Sequence, residues 1–272
     1  MVSKQDVHLT SYDFLKALAV LLMIIDHVGY YFYPDNDVLR VIGRLCVPIW
    51  FFLVGYARSR DFGLLLWIGS GVLIFANYAV GLSFFPLNIL VSIMLVRCAL
   101  DPAMVRIMPG FQRKEINQRF LAFCVLLVLC AIPTSLVIEY GTQGLLLTML
   151  GYLVRHKKDL PANKATNIIQ GYALFVAFIY VISETVLFAF DRQHMFVLAA
   201  GVFVICLFLP HFQPQSYPNF TQTMPAAIVV TLQFLGRRTL EIYVIHLLIF
   251  KMVAACWDPE RFPLWTWQWV LL

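Results

Sequence analysis

Apolar residues run along this chain in long blocks separated by short polar stretches, and the blocks approach the roughly 20 residues that carry a helix across a bilayer. Ten are readable, at 12–33, 39–57, 62–82, 85–101, 118–137, 141–154, 168–190, 194–211, 225–236 and 239–257. The pattern predicts an all-α fold, a polytopic integral membrane helical bundle of about ten transmembrane segments, the ninth short enough to be re-entrant. The longest polar stretches, 102–117, 155–167 and 212–224, are too small to fold alone, so residues 1–272 read as a single transmembrane domain. The two halves hold no matching pair of interrupted helices, which argues against an inverted-repeat transporter.

The first block breaks the apolar pattern. Its sequence DFLKALAVLLMIIDHVGYY carries Asp13, Lys16, Asp26 and His27, although a charge near the bilayer centre costs roughly 2.5–3.5 kcal/mol. Such residues usually line a pathway or a reaction site. Lys16 and His27 are 11 residues apart, which brings them back to nearly one helix face with about 16 Å between them along the axis. His27 is the candidate general base, since imidazole titrates near neutral pH; the competing reading is a histidine hydrogen-bonded to a neighbouring helix. Adjacent helical residues point about 100° apart, so Asp26 is expected to pair with Arg40 or Arg44 rather than to orient the His27 ring.

Composition agrees with a membrane location: 61% of the residues are hydrophobic and 13% charged, against about 25% charged in soluble domains. The first block, studded with charge and lacking a small-residue cleavage site, reads as a helix retained in the protein rather than a signal peptide. The net charge of +5 sits mostly in two loops, Arg106, Arg113, Lys114 and Arg119 in one and Arg155, His156, Lys157, Lys158 and Lys164 in the other. By the positive-inside rule both are cytoplasmic, which puts the N-terminus in the cytoplasm and His27 toward the outer half. These charges lack the aromatic interleaving of a nucleic-acid surface, so membrane lipid is expected as surroundings and no nucleic acid as partner. The six cysteines have no metal-ligand spacing; packing is their expected role, and no metal is expected.

Other polar residues extend the candidate site. Arg40 and Arg44, four residues apart on one face of the second segment, suit a carboxylate, a phosphate or a developing oxyanion. Arg58 and Arg60, at the other end of that segment and level with Lys16, would seat phosphates or serve as topology anchors. In LGRRTLEIYVIHLLIF, Tyr243 and His246 share a face, and Glu241 can pair with Arg237 or Arg238. Glu139 is expected at an outer interface, and Glu184, near mid-span, needs a partner that the sequence does not identify.

Lys16, ten residues, His27 resembles the basic-residue-to-histidine signature of the membrane acyltransferase superfamily. IIDHVGYYFYP, LRVIGRLCVPIWFFLVGYA, the asparagine of PLNILVSIMLV, EYGTQGLLLTMLGYL and LGRRTLEIYVIHLLI, in that order, are similar to the TraX family, the pilin N-acetyltransferases of conjugative plasmids. The resemblance implies a bacterial inner-membrane enzyme that moves acetyl from cytoplasmic acetyl-CoA, a co-substrate, to the N-terminal amine of a pilin subunit. It makes His27 the catalytic histidine, Asp26 its neighbour in an Asp-His pair, Arg44 and Pro48 part of a GR-x-x-x-P segment, and Tyr243 and His246 the terminal tyrosine and histidine. Donor phosphates would sit at Lys16, Arg58 and Arg60; catalysis would fall to His27, Asp26 and Arg44, with Arg40, Tyr243 and His246 at the substrate. Direct transfer and an acetyl-histidine intermediate both fit. An O-acetyltransferase of a surface glycan keeps the fold with another acceptor, and a proton-coupled transporter would use the same polar residues as a relay.

Overall fold

The computed structural model describes residues 8–108 and 118–266. Their helices are α1 (Ser11–Phe32), α2 (Asp37–Arg44), α3 (Cys46–Tyr56), α4 (Leu64–Ala79), α5 (Ile89–Ile107), α6 (Gln118–Ser135), α7 (Gly141–Arg155), α8 (Ala165–Leu187), α9 (Arg192–Phe208), α10 (Pro218–Thr223), α11 (Ala226–Arg237) and α12 (Thr239–Trp257). Every apolar block lies on one or two of these helices, against an expectation of ten spans. Among the described residues six helical stretches are long and apolar enough to cross a membrane: Ser11–Phe32, Asp37–Tyr56, Gln118–Ser135, Ala165–Leu187, Arg192–His211 and Thr239–Trp257. Leu64–Ala79 and Ala226–Arg237 are shorter apolar helices. The protein is a multi-pass membrane bundle.

The physical reason for the difference is clearest in α7, which is only 15 residues long and buried on every side from Gln143 to Val154. A helix apolar all round belongs to the interior of the bundle. It packs on α3 backbone to backbone: a Cβ at Gly55 would lie 1.9 Å from the Thr148 carbonyl oxygen, and one at Gly151 2.0 Å from that of Phe52. Small residues allow such an approach where lipid offers no hydrophobic drive between helices. By contrast α12 buries only the stripe Tyr243, Leu247, Lys251 and Ala254, and leaves Ile245, Ile249 and Met252 exposed.

The α1 N-terminus is closed by a capping box, in which the Thr10 side chain accepts from Asp13 N–H at 3.2 Å and the Asp13 carboxylate accepts from Thr10 N–H at 2.9 Å. Asp13 also pairs with Arg237 at 3.0 Å, which fastens α11 to the start of α1. Tyr12 meets Tyr56, Arg155 donates to the Tyr56 carbonyl, and Arg60 pairs with Asp101. The start of α1 and the C-terminal parts of α3, α5 and α7 therefore share one end of the bundle, here the Lys16 end. Both basic stretches follow helices that finish there; Arg113 and Lys114 lie outside the described residues.

At the other end, the His27 end, α2 crosses α1 at Gly43, where a Cβ would lie 2.2 Å from the Asp26 Cβ. The α2–α3 stretch breaks at Leu45 because Pro48 has no N–H to give the Arg44 carbonyl. Tyr180 on α8 donates its hydroxyl to that carbonyl instead, at 2.8 Å. The spacing of Gly43, Arg44 and Pro48 thus has a local cause: close approach, charge, then break. Gly43→Val should push α2 off α1 and cost at least about 1–3 kcal/mol, as overpacking does. Thermal unfolding in detergent measures it; a variant that melts with the wild type contradicts this packing.

Candidate active site

A cavity of about 700 Å³ runs through the bundle, within the usual size of small-molecule and cofactor sites. Along α1 its lining extends from Tyr12 to Tyr31, a rise of about 28 Å, close to a hydrocarbon core roughly 30 Å thick. Lys16 and His27 both line it, so the two polar positions of the first helix open into one space. Leu65 near one end and Leu136 near the other are lining residues that are also 53% and 58% exposed, so the cavity reaches the surface at both. Its middle wall is apolar, with Met23, Val54, Leu73 and Leu90.

The cations of the Lys16 end differ from those expected. Arg60 does not line the cavity. Its guanidinium is consumed by Asp101 at 3.0 Å and by the last carbonyls of α3, Val54 at 2.8 Å, Ala57 at 3.0 Å and Gly55 at 3.3 Å. It is a C-terminal cap of that helix. Arg58 is exposed and also off the cavity. The place assigned to them is taken by Arg97 on α5, which lines the mouth with Lys16 and donates to the Asp61 carbonyl at 2.6 Å.

Near the other end His27 Nδ1 and His246 Nε2 are 2.7 Å apart. His246 Nδ1 lies 2.6 Å from the Ile242 carbonyl, which can only accept, so this nitrogen carries the proton. His246 Nε2 is then the acceptor and His27 Nδ1 the donor, which leaves Nε2 of His27 with its lone pair. The network assigns the tautomer that a general base needs. His246 is not among the cavity-lining residues; it stands behind His27, and its expected contact with substrate becomes an orienting one. Tyr243 does line the cavity, its ring 5.9 Å from that of His27.

Asp26 turns away from the histidine as the helix geometry requires. Its carboxylate pairs with Arg40 at 2.9 Å and with Arg44 Nε at 3.5 Å. Arg44 is 8% exposed and holds more: Nη1 donates to the Tyr140 hydroxyl at 2.6 Å, Glu184 stands at 3.6 Å, and the Phe188 ring lies 4.0 Å beneath the guanidinium. Glu184, without an identifiable partner in the sequence, therefore belongs to the Arg44 cluster and lines the cavity. Tyr140 precedes α7 with φ at 65°, a left-handed conformation uncommon for a non-glycine residue; the Arg44 bond holds its side chain there. Arg40 and Arg44 both line the cavity.

Two further cavity residues were not anticipated. Glu139 is not at an outer interface: its carboxylate accepts from Ile89 N–H at the start of α5, and its accessible surface faces the cavity. Enclosure pushes its carboxyl above the ordinary range, and Arg44 draws it partly back. Lys251 is 4% exposed and also lines the cavity. The signal for it was legible, since Tyr243, Leu247 and Lys251 recur at four-residue steps on one helix face. Glu241, by contrast, pairs with Arg238 at the surface. Among the described residues no group of acidic, histidine and cysteine side chains is arranged to hold a metal.

A family model described as "TraX protein" matches residues 11–254. The chain is also 33% identical over 157 residues to the uncharacterized protein RP591 of Rickettsia prowazekii (strain Madrid E). That similarity covers 54% of this chain and 56% of the Rickettsia protein, so the chain spans about half the length of this relative. No solved structure matches the chain.

Asp26→Ala should destabilise the protein by about 3–5 kcal/mol, because it removes the carboxylate that Arg40 and the buried Arg44 share and leaves Arg40 without an ion pair. Arg58→Ala, at an exposed site, should stay within about 0.5 kcal/mol. Unfolding in detergent compares them, and similar stabilities for the two variants would contradict the buried cluster.

Proposed function

The chain belongs to the TraX family, and from that premise we propose that it is a single-domain membrane acetyltransferase that carries acetyl from acetyl-CoA to the amine of a pilin subunit. The observation that supports this most is the one cavity joining a cationic mouth, Lys16 and Arg97, to the hydrogen-bonded pair His27–His246. The positive-inside rule supports a cytoplasmic Lys16 end, and the family reading supports a bacterial inner membrane, so acetyl-CoA would be available at that mouth.

The residues fit that donor. Lys16 and Arg97 are the only described cations at the inner mouth of the cavity and offer charge to phosphates. The apolar wall suits a flexible arm, and the rise of about 16 Å from Lys16 to His27 separates the two ends of the donor. Acetyl-CoA supplies the acetyl group as a thioester. His27 Nε2 takes the proton from the acceptor amine as its nitrogen bonds to the acetyl carbon. Tyr243 and the field of Arg44 stabilise the oxyanion. The His27 imidazolium then returns the proton to the departing sulfur, so the thiol leaves and the base is restored. His246 holds the His27 ring throughout, and Asp26 acts through Arg40 and Arg44.

His27→Ala should lower transfer by about 10²–10⁴-fold, the usual contribution of a general base, while the protein still inserts; near-normal turnover would overturn the mechanism. Lys16→Ala combined with Arg97→Ala should raise the KM for acetyl-CoA at least about tenfold, the scale of one lost charged contact; an unchanged KM would remove the donor from this mouth. Mass spectrometry of pilin and of surface polysaccharide, from cells with and without the chain, separates the amine acceptor from a glycan hydroxyl.

A further inference from the structure

Lys251 has no role in the steps above, and its surroundings make that costly. A buried cation in a membrane bundle is expensive unless it is paired. Among the described residues neither an ion pair nor a hydrogen bond joins the Lys251 amine to the protein, although the residue is only 4% exposed. The anion that acts on it is Glu139, whose carboxylate already accepts from Ile89 N–H and forms no ion pair with it. Lys251 lines the cavity, so the space beside it is space a ligand would fill.

Its position along the cavity says which ligand. Phe250, the preceding residue, packs against Tyr31 with ring centroids 6.2 Å apart. Tyr31 lies four residues beyond His27, a rise of about 6 Å in the direction away from Lys16. Lys251 is therefore on the far side of the reacting histidine from the donor mouth. The cavity reaches the surface on that side at Leu136 and Phe188. Arg40 and Arg44, the other cations there, are held by Asp26 and Glu184. Among the described cations that line this end of the cavity, Lys251 alone is left for a ligand.

We propose that Lys251 is the anion contact of an acceptor subsite beyond His27, and that the site takes up acceptors carrying a carboxylate or phosphate close to the reacting amine. The subsite rests on the acyl-transfer reading and adds the charge of the acceptor to it. The anion needs to stand within a few bonds of the nucleophile, because Phe250, next to Lys251, packs on Tyr31, about one helical turn beyond His27.

Small amines test this without knowledge of the natural acceptor. With purified protein and acetyl-CoA, glycylglycine is compared with glycylglycinamide, and phosphoethanolamine with ethanolamine, which distinguishes the carboxylate from the phosphate source. The wild type should favour at least one charged probe over its neutral partner by about tenfold in kcat/KM, the scale of one charge-assisted contact. Lys251→Gln should bring that ratio close to unity, and Lys251→Arg should keep most of it. The ratio within one variant is insensitive to the fraction folded. A wild type with no preference, or a Lys251→Gln variant with the preference intact, overturns the proposal. Protection from thermal unfolding by the same probes gives a reading free of turnover. Protection that is lost in Lys251→Gln while the wild type acetylates nothing would keep the subsite and defeat acyl transfer. Acetylation of both members of each pair at equal rates would do the reverse, and absence of both protection and turnover overturns both.

Discussion

A guanidinium shut inside a membrane bundle must be answered by charge and hydrogen bonds from several directions, and Arg44 is answered from α1, α7 and α8 together. Asp26 and Glu184 flank it, Tyr140 accepts from it, Phe188 lies under it and Tyr180 caps its carbonyl. These partners come from three stretches far apart in the chain, around Asp26, Tyr140 and α8, so this residue sets the register of the elements that surround the His27 end of the cavity. The break at Pro48 makes the arrangement possible, because it frees the Arg44 carbonyl and lets α2 tilt onto α1 at Gly43. With Asp26 fastened to Arg40 and Arg44, the next residue, His27, is aimed at the cavity and at His246.

The division of the cavity follows from charge. Around His27 the lining cations Arg40 and Arg44 are paired with the lining anions Asp26 and Glu184, and Lys251 and Glu139 line the same space without an ion pair. At the Lys16 end Asp13 is committed to Arg237 and Asp101 to Arg60, which leaves Lys16 and Arg97 as an excess of positive charge at the mouth. In the proposed reaction the phosphate-bearing donor would sit at the first end, and the proton would move at the second. The helix between them does no chemistry of its own; its length supplies the separation.

Much of this was legible in the sequence, for reasons that can be named. Helical periodicity alone put Lys16 and His27 on one face and turned Asp26 aside toward the arginines. Long apolar blocks located the helices, and several motifs in order pointed to the family. What could not be read depended on tertiary neighbours. Arg60 and Arg97 look alike as helix-end arginines, and only the path of the chain after Tyr56 shows that the first spends its donors on α3 carbonyls. Glu184 needed Arg44 from a helix about 140 residues earlier, and Glu139 needed the start of α5. Ten spans were expected, and six helical stretches among the described residues have the length and apolarity of a crossing, because apolarity marks burial in the bundle as well as contact with lipid, as α7 shows. Lys251 was a missed reading of the periodicity.

In the proposed reaction one cavity holds the donor with its phosphates at Lys16 and Arg97 and its thioester at His27. A cryo-electron-microscopy structure of the protein with a non-transferable acetyl-CoA analogue tests this most directly. The account predicts continuous elongated density along α1, with phosphates beside Lys16 and Arg97 and the carbonyl end within hydrogen-bonding reach of His27. Donor density elsewhere on the protein, or a cavity empty at saturating analogue, would contradict it.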